Sequence, residues 1–295
     1  MPFRREVDLI LPARALVAEG PLWDPGDGSL LWVDIDRGEV HRLAPETGAD
    51  SLAVACGRPV GAAVWRRSGG LALALPGGVA LVAAGGDPAA AEIVPVEADR
   101  PDQQLNDGAC DRHGRFWVGT ASVSRQPGTS ALYRLDADHR VEQVLPGVTM
   151  SNGLGWSPDQ RRFYYVDSAA QRLDVFDHDP DSGRLGSRRP LVSVPAEVGI
   201  PDGLAVDADG CVWLAIWGAG SVHRYTPAGV LDGVLDVPAS NVTSCAFGGA
   251  GLADLFVTTA SRGLSPAQLA EQPYAGGIFR ATPGVVGIEP QGYAG

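Results

Sequence analysis

A chain of 295 residues with 45% hydrophobic side chains carries enough apolar material for one large folded domain, which excludes a disordered or fibrous class. Its 23 Lys and Arg stand against 35 Asp and Glu, and a formal charge of −12 repels phosphate backbones and anionic bilayers, so nucleic acid and membrane are excluded as partners. The longest apolar run, LALALPGGVALVAA at 71–84, is broken by Pro76 and two glycines and falls short of the roughly 20 residues of a membrane span.

At the N-terminus, Asp8, Pro12 and Arg14 interrupt any secretory apolar region, and a cytoplasmic protein is expected. VDLIL at 7–11 then reads as a strand. From residue 19 the chain proceeds by short alternating runs (SLLWVDI, RFWVGT, RFYYVDS, CVWLAIW), with glycine and proline at the turns and almost no helical periodicity. The chain is all-β. Cys56, Cys110, Cys211 and Cys245 form no C-x-x-C pair and read as reduced core cysteines, and the five histidines lack zinc-ligand spacing.

The runs repeat. Superposing the turns DPGDG, RRSGG, DRHG, SPDQ, DADG and GGAG aligns EGPLWD at 19, GAAVWR at 61, NDGACD at 106, NGLGWS at 152, DGLAVD at 202 and TSCAFG at 243, with starts 42, 45, 46, 50 and 41 residues apart. Four positions on, a column reads Trp23, Trp65, Cys110, Trp156, Val206, Phe247; a second column reads Trp32, Ala72, Trp117, Tyr165, Trp213, Phe256. A third run follows in most units, such as EVHRL at 39–43 and ALYRLD at 131–136. Each unit has the length of a four-stranded propeller blade. The expected fold is a six-bladed β-propeller that uses residues 1–295 as a single domain, with VDLIL as an outer strand of the last blade, closing the ring.

In such a ring the innermost strands surround a central channel, and one repeat position from each blade converges there. The start column reads Glu19, Gly61, Asn106, Asn152, Asp202 and Thr243. Taken singly, Asn-Gly and Asp-Gly are ordinary turn dipeptides. Glu19 has no such turn preference, and it shares the column. Carboxylates, amides and a hydroxyl at one level form an oxygen set suited to a hard or borderline divalent cation. Asp107, Asp111 and Asp207, on neighbouring columns, are expected to be turn and surface residues.

The stretches EGPLWD (19–24), LNDGACDRHGRFWVGT (105–120), SNGLGWSPD (151–159), IPDGLAVDADGCVW (200–213), VTSCAFGG (242–249) and AGGIFR (275–280) resemble, in order, the gluconolactonase, regucalcin (senescence marker protein) and L-arabinonolactonase-like lactonases. The resemblance implies a six-bladed propeller with one divalent metal ion (Ca, Zn, Mn, Mg or Fe(II)) held by Glu19, Asn152 and Asp202, with Asn106 on the substrate. Where that family commonly has Arg and Lys around its N-D-G motif, this chain has Gln104 and Ala109, and Arg100 lies four residues before Gln104.

The implied activity is metal-assisted hydrolysis of a small-molecule sugar-acid lactone. Asp202, or Glu19, would serve as general base, and Asn106, Gln104 and Arg100 would bind the substrate, with the loop at 121–130 adding contacts. No G-x-S-x-G supports a covalent serine route. The rival expectations are a non-enzymatic calcium- or ligand-binding propeller and a hydrolase of another ester or lactone. An apolar funnel favours the latter, and a funnel of Asn, Gln and Arg favours a sugar.

Overall fold

The computed structural model describes residues 2–295. It is a six-bladed β-propeller, and each blade is an antiparallel four-stranded meander. The innermost strands are Ala18–Asp24, Ala62–Trp65, Gln103–Cys110, Ser151–Trp156, Ile200–Val206 and Val242–Gly248. They contact one another in sequence, and the last returns to the first.

The aromatic columns explain why these runs stack into blades. Trp32, Trp117, Tyr165, Trp213 and Phe256 sit on second strands, buried between neighbouring sheets. Trp117 packs edge-on against Trp156 of the next blade at 5.8 Å, and Trp213 against Phe247 at 5.9 Å. At roughly 25 cal/mol per Å² of apolar area, rings of 150–250 Å² dominate this packing.

Ring closure matches the expectation for VDLIL. Asp8–Leu11 pairs antiparallel with Ile278–Ala281 and supplies the outer strand of blade six. Phe3–Glu6 adds an unforeseen fifth strand to blade five, parallel to Leu231–Asp236. The cysteines are free, three of them buried. No helix among the described residues is long and apolar enough to cross a membrane.

The two ends of the channel differ. Turns between first and second strands lie at one end, where the C-terminal segment runs beneath the ring. Gly287 bridges to Asp207, Tyr293 bridges to Arg66, and the fully buried Tyr293 donates its hydroxyl to the Asp136 carbonyl at 2.8 Å. A cavity of about 170 Å³ separates this strap from the inner strands. The other end, where the inner strands begin, carries the start column.

Candidate functional site at the propeller axis

Each inner strand except that of blade two departs from regular pairing at the start column. Register shifts fall between Glu19 and Leu22, Leu105 and Gly108, Ser151 and Leu154, Pro201 and Leu204, and Val242 and Ser244. Such bulges re-aim side chains. The strands also approach closely here. A Cβ at Gly153 would lie 2.6 Å from the Asp202 carbonyl oxygen, and one at Gly61 would lie 2.3 Å from the Leu105 carbonyl oxygen. Blade two therefore contributes no side chain to the ring.

Two buried aspartates fix the entry of the inner strands. Asp34, at the end of a second strand, accepts the amides of Leu16 and Val17 (2.9 and 3.3 Å) just before Glu19. Asp167 does the same for Thr149 and Met150 (both 3.1 Å) just before Asn152.

A hydrogen-bonded chain then crosses three blades. Asn106 Nδ2 donates to Asn152 Oδ1 and to the Ser151 carbonyl, both at 2.9 Å. Asn152 Nδ2 donates to Ser168 Oγ at 2.8 Å, and Ser168 donates to the Pro201 carbonyl at 2.6 Å. Because the Ser168 proton goes to a carbonyl, its oxygen must accept, which fixes the Asn152 amide nitrogen toward Ser168. Both Asn106 amide hydrogens are committed, so only its carbonyl oxygen remains for a ligand. As a substrate contact, Asn106 is therefore an acceptor.

Glu19, Asn152 and Asp202 are 6%, 7% and 8% exposed. Burial, then the charges of Asp202 and Asp107, holds the Glu19 carboxyl well above the usual carboxylate range, although its Oε2 accepts the Gly20 amide at 2.5 Å. Burial and Asp107 raise Asp202 in the same way, and no donor among the described residues offsets the shift. Burial lifts Asp107 to about 6 against a backbone bond from Gly108. Carboxylates desolvated against one another resist ionisation unless a cation joins them. Among the described residues no three His, Cys, Asp or Glu side chains group closely enough to ligate one ion. The oxygen donors that the ring offers are the carboxylates of Glu19 and Asp202 and the oriented amide oxygen of Asn152, a set that fits a divalent ion completed by water.

The remaining expectations fare unequally. Gln104 lies half-buried on the Asn106 strand, opposite Ala121. Arg100 is drawn away: its guanidinium holds Glu97 and the Thr129 carbonyl, both at 2.5 Å, and pins the rim loops together. Thr243 turns its hydroxyl to the Ala18 carbonyl at 2.6 Å, a ring-closing bond, so it is not an axial oxygen.

Asp107 is no surface turn; it belongs to the axial carboxylates. Asp111 and Asp207 are fully buried. Asp111 accepts from Trp117 Nε1 (2.9 Å) and Arg115 Nε (2.6 Å), and Asp207 accepts from Trp213 Nε1 and Arg224 Nε, both at 2.9 Å. A sequence signal existed for these two: each precedes its column tryptophan by six residues.

The fold and site define a six-bladed propeller with an acidic, desolvated ring at one end of its channel. The chain belongs to the SMP-30/gluconolactonase/LRE-like family, whose pattern matches residues 17–261. It is 36% identical to regucalcin of Oryctolagus cuniculus over 298 residues, covering 98% of this chain and 99% of that protein. Among solved structures it is similar to a calcium-binding protein, regucalcin of Agrobacterium tumefaciens, with a TM-score of 0.92, 26% identity and 99% of each chain covered. A luciferin-regenerating enzyme superposes with a TM-score of 0.91 at 29% identity, covering 98% of this chain and 99% of its own.

Proposed function

We propose that this chain is a divalent-metal-dependent lactonase that opens a lactone to the hydroxy acid at the axial ring. A sugar-acid lactone is the substrate that the sequence resemblance and the family's gluconolactonase members suggest. The observation that carries the reading is Asp202, a buried carboxylate that faces like charges and meets no donor among the described residues. Structural carboxylates are hydrogen-bonded when buried, whereas unsatisfied ones concentrate at functional sites.

Glu19, Asn152 and Asp202 would hold the ion, and Ser168 would keep the Asn152 oxygen aimed at it. When bound, a divalent ion supplies Lewis acidity, offsetting the negative charge that builds on the lactone carbonyl oxygen as water adds. Asp202 accepts a proton from the attacking water. The acyl carbon–oxygen bond then breaks, and the same proton passes to the departing ring oxygen, so the net change is addition of one water. Asn106 presents its carbonyl oxygen to a substrate hydroxyl or to the attacking water. The calcium-binding name of the Agrobacterium relative favours a second reading, a propeller that binds the ion without turnover.

A pH-indicator assay on metal-stripped protein, with aldono-lactones and added Ca, Zn, Mn, Mg or Fe(II), separates the two. Ion-dependent acid release supports the lactonase. Ion binding by calorimetry with no acid release from any lactone supports the second reading.

A further inference from the structure

The repeat that identifies the axial ring also identifies the wall above it. The residue two positions earlier in each repeat lies where the inner strand is entered, one step nearer the mouth. That tier reads Val17, Pro59, Gln104, Met150, Ile200 and Asn241. Four of the six are apolar. Asn241 is buried and donates to the Arg262 carbonyl at 3.1 Å, so Gln104 is the one uncommitted amide at this level.

Gln104 apart, the accessible part of the tier is apolar. Ile200 is 43% exposed, Met150 is half-buried, and Trp217, also half-buried, is the direct cross-strand partner of Ile200. The rim continues this character. Six of the ten large hydrophobic residues that are exposed, namely Leu16, Val123, Val198, Ile200, Leu269 and Tyr274, lie on segments at this end of the propeller. A sugar-acid lactone needs partners for several hydroxyls when it leaves water, and unmatched hydroxyls are costly. Of the residues expected to bind it, Arg100 is engaged elsewhere and both Asn106 hydrogens are committed.

We propose that Met150 and Ile200, backed by Trp217, form an apolar subsite above the axial ring, and that the chain prefers lactones bearing an alkyl or aryl substituent over fully hydroxylated ones. This rests on the lactonase reading and replaces its sugar-acid substrate with an alkyl- or aryl-substituted lactone. Ile200 and Met150 are specificity residues here, and Gln104 is the uncommitted amide of their tier.

The test compares δ-nonalactone with glucono-δ-lactone, which share a ring size, using ion-replete protein and subtracting spontaneous hydrolysis. The expected result is a kcat/KM at least tenfold higher for the alkyl lactone. Ile200→Asn and Met150→Gln should each lower that ratio about tenfold, the scale of a few apolar contacts in a specificity pocket. Because Ile200 is exposed, its replacement leaves the fold intact, and an unchanged melting temperature of the variant verifies this. Preference for glucono-δ-lactone, or a ratio that neither variant moves, overturns the apolar subsite while leaving the lactonase reading standing. No hydrolysis of any lactone with any ion overturns both.

Discussion

Two sets of buried carboxylates occupy this propeller, one on the inner strands and one just past their ends, and they are built in opposite ways. Asp111 and Asp207 are fully buried, and each is surrounded by an indole N–H, an arginine and backbone amides. Glu19 and Asp202 are nearly as buried, yet Asp202 meets no donor and Glu19 meets only the amide of its own neighbour. The first set satisfies every demand that burial makes and acts as a tie between strand, turn and tryptophan. The second leaves the demand open, toward a ligand. Burial alone does not distinguish a structural aspartate from a functional one; the donors around it do.

The comparison can be broken most sharply at Asp202. Asp202→Asn is expected to lower lactone kcat/KM by about 10²–10⁴, the range for loss of a general base. The metal-free variant should melt no lower than wild type, since a repulsive charge is removed. Steady-state kinetics beside a thermal melt read both. Asp111→Ala should do the reverse: it strands Arg115 and the Trp117 indole and costs about 3–5 kcal/mol of stability, measured by urea unfolding, while KM on the folded protein stays put.

Smaller effects sharpen the contrast. Ser168→Ala removes the acceptor that orients the Asn152 amide and should weaken ion affinity about 10–100-fold, the usual scale for a ligand's supporting contact. Calorimetric titration checks this, and restoration by Ser168→Thr separates orientation from loss of packing. The pH dependence follows from the raised carboxyls. Burial lifts Asp107 to about 6, and burial with the neighbouring carboxylates holds Glu19 and Asp202 well above the ordinary carboxylate range. The folded state therefore keeps protons that the unfolded chain has lost, so metal-stripped protein loses stability, by roughly 1–3 kcal/mol, as pH rises from about 4 past 6. Melting curves between pH 5 and 8 should show the decline, and added calcium should raise Tm more at pH 8 than at pH 5.

The fold was legible in the sequence because the repeat is carried by large aromatic side chains whose burial between blades leaves little freedom in their spacing. Glu19, Asn152 and Asp202 share the start column of the same alignment, and VDLIL at 7–11, ahead of the first repeat, was expected as the closing strand. What escaped was the detail that bulges decide. Counting alternation along an ideal strand sends Asp107 away from Asn106, but the irregular pairing between Leu105 and Gly108 turns it to the axial carboxylates. Arg100 was misjudged for another reason: its nearest competitor, Glu97, lies three residues away on the same loop, and a local ion pair prevails over a distant ligand. Asp111 and Asp207 were misjudged because a turn-forming aspartate looks the same whether or not a tryptophan from the following strand reaches back to it.

The account rests most directly on the rate of lactone opening by metal-stripped protein before and after a divalent ion is restored, measured side by side for wild type and Asp202→Asn. It predicts turnover that appears only with the ion in wild type and stays about 10²-fold or more lower in the variant at saturating ion. Equal rates for the two proteins, or undiminished turnover by stripped wild type, would contradict it.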